Sequence, residues 1–191
     1  MNKMPSLLQW DEDLLKHINS EWHNSFLDSV LPLLRNQDAW LPLYLFLLVF
    51  VAVNYKDTRW WWIAFAMSTV IISNFISSGL IKQNILRLRP CNDPAVASWI
   101  RLFKGIYLPQ SSSFVSAHAA NHFAMAMFFY ITFKKQFNAW PSLFFVWAFG
   151  ISYAQMYIGV HYPIDILCGT IIGLAVGNFT GRRFNKQYGL I

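Results

Sequence analysis

Apolar residues in this chain gather into long blocks, unlike the short alternating runs of strands or the narrow stripes of soluble amphipathic helices. Five blocks stand out, at roughly Trp40 to Val53, Trp60 to Ile81, Ser113 to Phe133, Leu143 to Val160 and Pro163 to Phe179. A helix rises about 1.5 Å per residue and the hydrocarbon of a bilayer is about 30 Å thick, so each block approaches one crossing. The pattern predicts an all-α fold: a polytopic integral membrane helix bundle with about five transmembrane helices plus N-terminal interfacial helices. The first block is short for a span and needs flanking residues or a thin region of membrane. Trp60, Trp61 and Trp62 open the second block, where aromatic rings suit the headgroup level. Within that block Ser73, Asn74, Ser77 and Ser78 are too polar for lipid on every side and are expected to face other helices.

Ahead of the blocks, Leu7 to Ile18 carries apolar residues at helical spacing with Asp11, Glu12, Asp13 and Lys16 between them. That is the pattern of an amphipathic helix at a membrane surface. Leu27, Val30, Leu31 and Leu34 form a second apolar stripe, with Pro32 expected to kink or end it. The chain thus divides, within a single domain of residues 1–191, into an N-terminal interfacial segment (1–36), a transmembrane bundle (37–180) and a basic cytoplasmic tail (181–191). Residues through Ser20 lack a compact hydrophobic run before a small-residue cleavage site, so insertion is expected to rely on the spans themselves.

Composition supports the same class, since 55% of residues are hydrophobic. The net charge of +6 is scattered among the blocks and forms no continuous arm or stripe, which argues against nucleic acid and for membrane lipid as the anionic partner. Cys91 and Cys168 offer neither a disulfide framework nor metal-ligand spacing. Five crossings put Lys56, Arg59, Lys134, Lys135, Arg182, Arg183 and Lys186 on one side. Basic span ends favour the cytoplasm, so that side and the C-terminus are expected there. The compactness of the chain suggests a bacterial inner membrane. Nothing in the spans speaks to oligomeric state.

Alternating crossings also bring three reactive segments to the opposite boundary: Lys82 with Arg89 and Pro90, Ser116 with His118, and His161 with Asp165. His161 and Asp165 are four residues apart, so in a helix the carboxylate can orient one ring nitrogen and leave the other to attack. Lys82 supplies a mobile positive charge, and Arg89 a planar donor fork suited to phosphate oxygens. Ser116, Ala117 and His118 lie where a loop becomes a long helix, so the Ser116 hydroxyl and the exposed backbone N–H groups can receive phosphate; Ser116 can equally be a helix cap. His118 is placed to protonate a departing oxygen. Asn121 and Tyr157 are auxiliary candidates for positioning. His118, His122, His161 and Asp165 could instead be metal ligands, but Lys82 and Arg89 would repel a divalent cation there. His122 is more simply a packing residue bonded to Asn74 or Asn121.

These segments, in order and spacing, resemble the type 2 phosphatidic acid phosphatase superfamily of integral membrane phosphatases. Its lysine, six residues and Arg-Pro are matched by Lys82, Arg89 and Pro90; its Pro-Ser-Gly-His by Val115, Ser116, Ala117 and His118. Its Ser-Arg, five residues, His, three residues and Asp is matched by Ala154, Gln155, His161 and Asp165. The resemblance runs from about Trp60 to Gly173. It implies that His161 is a nucleophile that becomes transiently phosphorylated and that Asp165 supports it. It further implies that His118 protonates the leaving oxygen and then activates water, while Lys82, Arg89, Ser116 and the Ala117 backbone hold phosphoryl oxygens. No metal or other cofactor is implied. The chain departs from the pattern at Val115, Ala117 and Gln155, and Gln155 replaces a charged, bidentate arginine with a neutral amide. Arg87 and Lys104 are the candidates to compensate. The expected function is hydrolysis of a lipid phosphate monoester or a polyprenyl diphosphate such as undecaprenyl diphosphate at the non-cytoplasmic surface. The alternatives are a lipid-phosphate binding or transport protein without efficient turnover, and a metal-dependent membrane hydrolase.

Overall fold

The computed structural model describes residues 6–190, and among them the elements are helices and turns without a strand. In chain order they are α1 (Leu7–Lys16), α2 (Ser25–Arg35), α3 (Leu41–Asn54), α4 (Arg59–Asn74), the one-turn α5 (Lys82–Asn84), α6 (Ala117–Phe137), α7 (Leu143–Tyr157) and α8 (Pro163–Gln187). A π-helical stretch, Phe75–Ile81, joins α4 to α5, so the second apolar block is one continuous rod as far as Asn84. The runs Gln37–Asn54, Arg59–Asn84 and Pro163–Gln187 are long and apolar enough to cross a membrane. α7 has 15 residues, and α6 sits inside the bundle with most of its turns buried. A helix sheltered by its neighbours can carry more polar residues than one facing lipid.

The tightest packing is between α6 and α8, and glycine creates it. Gly169, Gly173, Gly177 and Gly181 recur every four residues on one face of α8. A Cβ on Gly173 would lie 2.3 Å from the Ala120 carbonyl oxygen, and one on Gly177 would lie 2.2 Å from that of Ala124. Backbones can approach this closely only where side chains are missing. The pairing ascends in step, with Gly169 against Ser116 and Ala119, Gly173 against Ala120 and Gly181 against Ile131, so the two helices run parallel and α7 returns between their ends. Their N-termini therefore meet at one end of the bundle, which sets His118 beside the His161–Asp165 turn. Gly173→Ala is expected to force the helices apart and lower the melting temperature in detergent, at a cost of about 1–3 kcal/mol for overpacking. Gly150→Ala, whose Cβ would meet nothing nearer than a Leu34 methyl at 3.7 Å, should melt like the parent.

α4 lies across this pair. Thr69 Oγ1 donates to Thr180 Oγ1 at 2.8 Å, and Trp62 Nε1 donates to Thr132 Oγ1 at 3.1 Å while its ring stacks on Phe129. Trp62 is thus a core residue, and only Trp60 and Trp61 remain exposed as the sequence pattern predicts. Indole pairs both its apolar ring and its N–H inside a bundle when a hydroxyl lies opposite. Ser73 and Ser77 are buried as expected, and Asn74, though exposed, accepts from Asn121 of α6.

The N-terminal helices pack on the end of the bundle where α6 and α8 begin, in a way their amphipathic pattern does not reveal. α1 buries Asp11 and Leu15 while Leu7, Leu8 and Trp10 stay exposed. Its most polar inward residue faces the protein, with apolar residues left outward. α2 is capped by Asn24, whose side chain accepts from Leu27 N at 2.8 Å. Pro32 lies inside α2 without ending it, and the helix continues to Arg35. Asp28 fixes α2 in place: Arg101 grips both its oxygens at 2.9 Å and the Tyr157 hydroxyl donates to it at 2.5 Å. Tyr157 therefore braces α2 against α7, and its hydroxyl is unavailable to a headgroup.

Candidate active site

The loop of residues 85–116 folds back over the N-termini of α6 and α8 and carries two arginines inward. Arg89 is buried, and all five of its N–H groups are engaged. Nε donates to Ser111 O (2.9 Å), Nη2 to Ser111 Oγ (3.2 Å) and Ser112 O (3.3 Å), and Nη1 to Val160 O (3.1 Å) and His161 Nε2 (3.1 Å). Because an arginine only donates, His161 Nε2 is held as the unprotonated nitrogen, and Nδ1 carries the ring proton. Nδ1 faces Asp165 Oδ2 at 3.5 Å and Ser113 Oγ at 3.4 Å. Burial pushes His161 down to about 4, against a weaker upward pull from its bond to Asp165. The ring is thus neutral, with its lone pair pointing at a guanidinium.

Asp165 is fully buried and fully satisfied. Ser113 Oγ donates to Oδ2, Tyr162 N donates to the same oxygen at 2.9 Å, and Arg87 Nη1 donates to Oδ1 at 2.8 Å. Arg87 is shared, since its Nη2 donates to Asp11 Oδ2 at 2.5 Å and its plane lies 4.0 Å over the Tyr162 ring. Asp11 Oδ1 in turn accepts from Ile164 N at 2.8 Å, capping the first turn of α8. One guanidinium is therefore shared between two buried carboxylates, one from α1 and one from α8. Burial pushes the Asp11 carboxyl up, and the Arg87 bonds oppose this.

His118 occupies the first turn of α6, half-buried, with the Gln37 side-chain amide donating to its Nε2 at 3.4 Å. Lys82, Arg35, His161 and His122 are all near enough for their charges to act on it. Lys82 likewise lies within electrostatic reach of Arg89 and Asp165. The geometry thus gathers Lys82, Arg89, His118, His161 and Asp165 at one end of the bundle. Ser116 does not project a free hydroxyl into this group: it caps α6 by accepting from Ala119 N at 3.4 Å, while its own N–H donates to Asp165 O at 3.1 Å. The Ala117 and His118 N–H groups are left as the orphan donors that every helix start presents.

Other expectations change. Arg87 cannot stand in for the missing arginine at position 155, because both its forks are committed to carboxylates, and Lys104 is exposed. Gln155 is buried beneath the His161 turn. Its backbone oxygen accepts from Val160 N and His161 N, while its amide nitrogen has no partner among the described residues. His122 bonds neither Asn74 nor Asn121; its Nδ1 meets the His118 carbonyl at 2.8 Å and its Nε2 the Tyr44 hydroxyl at 3.5 Å. Asn121 donates to Asn74 at 3.4 Å. Ser113 and Asp11 are contributors that sequence reasoning missed. Ser113 carried a weak signal as one of three consecutive serines before the helix, whereas Asp11 carried none.

Beside His118 a cavity of about 490 Å³ begins at Gln37, Asn121 and His122 and runs between α3, α4 and α6 to Trp62 and Phe129. Its polar end adjoins the histidines and its walls are apolar.

The chain is similar to known membrane phosphatases in sequence and in fold. It is 32% identical over 167 residues to the lipid A 4'-phosphatase of Bacteroides thetaiotaomicron, covering 85% of this chain and 72% of that one. It is 28% identical over 179 residues to the lipid A 4'-phosphatase of Porphyromonas gingivalis, covering 92% and 73%. Two crystal structures share the fold. LpxE of Aquifex aeolicus matches with a TM-score of 0.59 at 22% identity over 89% of this chain and 93% of that one. A PAP2-type phosphatidylglycerolphosphate phosphatase of Bacillus subtilis matches with 0.66 at 18% identity over 97% and 89%. The family model described as the PAP2 superfamily matches residues 59–188, the stretch that carries both histidines, Lys82, Arg89 and Asp165, and the chain belongs to that superfamily.

Proposed function

We propose that this membrane lipid phosphatase hydrolyses a phosphate monoester on a glycolipid of the lipid A type, through a phosphohistidine on His161. The observation that carries the reading is the buried, neutral His161 ring, with Asp165 behind Nδ1 and Arg89 in front of Nε2. A phosphoryl group arriving at Arg89 would take over the donor now spent on Nε2, freeing the lone pair for attack as the phosphate becomes anchored. Nε2 then forms a bond to phosphorus while the bond to the lipid oxygen breaks, and His118, entering this step as the imidazolium, gives that oxygen its proton and becomes the neutral base. The positive charge on the phosphorylated ring is balanced by Asp165. Water next attacks phosphorus, His118 takes its proton, and His161 leaves with inorganic phosphate as the other product. Lys82 and the N-terminal N–H groups of α6 offset charge on the phosphoryl oxygens throughout.

The apolar cavity between α3, α4 and α6 suits one chain of the lipid, since its polar end is lined by Gln37, which contacts His118, and its walls are apolar side chains. The basic residues Lys134, Lys135, Arg182, Arg183 and Lys186 lie at or beyond the far ends of α6 and α8. Under the positive-inside bias that end is cytoplasmic and the histidines face the periplasm or cell exterior.

Phosphate release from purified protein in detergent tests the reading, with lipid A, phosphatidylglycerol phosphate and undecaprenyl diphosphate compared side by side. Turnover fastest on the lipid A phosphate is expected, and no release from any of the three would refute a phosphatase. The pH profile gives a second check. Because burial holds His161 near 4, protonation should not silence the nucleophile between pH 6.5 and pH 4, where a solvated histidine would be charged. After correction for the substrate's own ionisation near about pH 6, kcat/KM should keep its value until close to pH 4. An acid limb at the ordinary histidine value would show that the ring is not desolvated.

A further inference from the structure

At the phosphoryl pocket three cations have no carboxylate of the described residues within salt-bridge distance, although the Asp165 charge reaches Lys82 and Arg89 from further away. Among the described residues, Arg87 and Arg101 are paired with carboxylates, whereas Lys82, Arg89 and Arg35 are not. Arg89 can offer a phosphate only the donor now spent on His161 Nε2, because its other four N–H groups are engaged with protein oxygens. Arg35 is the opposite case. It ends α2, is half-buried, and donates only once, from Nη2 to the Tyr107 carbonyl at 3.1 Å. Its charge acts on both Arg89 and His118, and Gln37, two residues on, touches His118. A guanidinium kept among other cations with most of its fork open is unfavourable unless an anion arrives to share it.

We propose that Arg35 is a phosphoryl-binding residue of this site, supplied by the N-terminal segment from outside the region that defines the family. Its open N–H groups take oxygens of the dianionic phosphate monoester, supplying the bidentate cation that Gln155 cannot. Gln37 is a positioning residue that keeps His118 turned toward the leaving oxygen. The proposal rests on the phosphatase reading for its substrate, but its core claim is that the pocket binds a phosphate dianion through Arg35.

The experiment therefore has two arms. In the first, R35Q and R35K are compared with wild type on a lipid phosphate that wild type hydrolyses, reading kcat, KM and inhibition by inorganic phosphate. One charged hydrogen-bonding pair corresponds to a change of about 10- to 100-fold. R35Q should raise KM and the phosphate inhibition constant by that factor, with kcat falling less, and R35K should recover part of the loss. In the second arm, H161N, which cannot turn over, is melted in detergent with and without inorganic phosphate. Phosphate should raise its melting temperature, and H161N/R35Q should lose that rise while melting like H161N in phosphate-free buffer. Failure of every lipid substrate in the first arm with success in the second would remove the phosphatase reading and leave the Arg35 site standing. Unchanged phosphate inhibition in an active R35Q enzyme, or an undiminished phosphate-induced rise in H161N/R35Q, would overturn the inference. So would a variant that melts lower yet binds phosphate as wild type does, since Arg35 would then only support the fold.

Discussion

Replacing His161 by asparagine is expected to lower kcat by about 10⁴-fold or more, while the protein remains folded and still binds lipid phosphate. Loss of a covalent nucleophile removes a whole reaction channel, and what survives is positioning and charge alone. Asparagine keeps a polar atom near Arg89 Nη1 and Ser113, so the pocket is not left with unpaired donors. His118→Ala should also be slow, but for a different reason, and the leaving group separates the two. An aryl phosphate, whose oxygen departs without help from a proton, should recover much of its rate in H118A and none in H161N. Labelling quenched in alkaline denaturant, which preserves the acid-labile P–N bond, should detect phosphohistidine in H118A, where the second step also lacks its base. Equal rescue of both variants, or turnover in H161N within ten-fold of wild type, would remove His161 from the proposed role.

Arg87→Met is expected to be the most damaging single substitution to stability. Both its carboxylate partners are fully buried, and breaking a buried pair by removing one partner costs about 3–5 kcal/mol because a charge is left uncompensated. Here one deletion strands two. Arg87→Lys should recover little, since a single ammonium cannot fork between Asp11 and Asp165. The pH dependence of the defect has a defined sign. Burial already raises Asp11 above its usual carboxylate value, and without Arg87 nothing of equal strength opposes that. The folded state would then bind a proton more tightly than the unfolded chain, so lowering the pH should shrink the melting deficit of R87M. The added D11N change should recover part of it at neutral pH. A melting temperature for R87M equal to wild type would mean that the two carboxylates are satisfied some other way.

Much of the architecture was legible because its cause is local. A block of apolar residues near the length of a bilayer has few options other than a helix, and the five expected blocks correspond to α3, α4, α6, α7 and α8. The helix ends were harder. α8 continues to Gln187 through residues assigned to a tail, because Gly181 and Phe184 still pack inward against the bundle. Trp62 was placed at the headgroups with its neighbours, since composition cannot tell which of three consecutive indoles turns toward Thr132.

The chemistry divides along the same line. Lys82, Arg89, His118, His161 and Asp165 could be named from order and spacing, because each group sits at a fixed offset within one segment, and the fold returns those segments to one end of the bundle. Their partners could not be so named. Asp11 and Arg87 are 76 residues apart, and Arg87 and Asp165 are 78 apart; no periodicity links positions that meet only after α1 folds onto α8. In the same way Arg35 reads as the ordinary basic end of a surface helix until α2 is seen pinned by Arg101 and Tyr157 beside Arg89 and His118. Sequence alone therefore determined the membrane class and nominated the groups proposed to react, because hydropathy and motif spacing act within a segment. Tertiary structure decided which charges are compensated and which remain open, because charge balance in a low-dielectric interior depends on distances between segments that only packing sets.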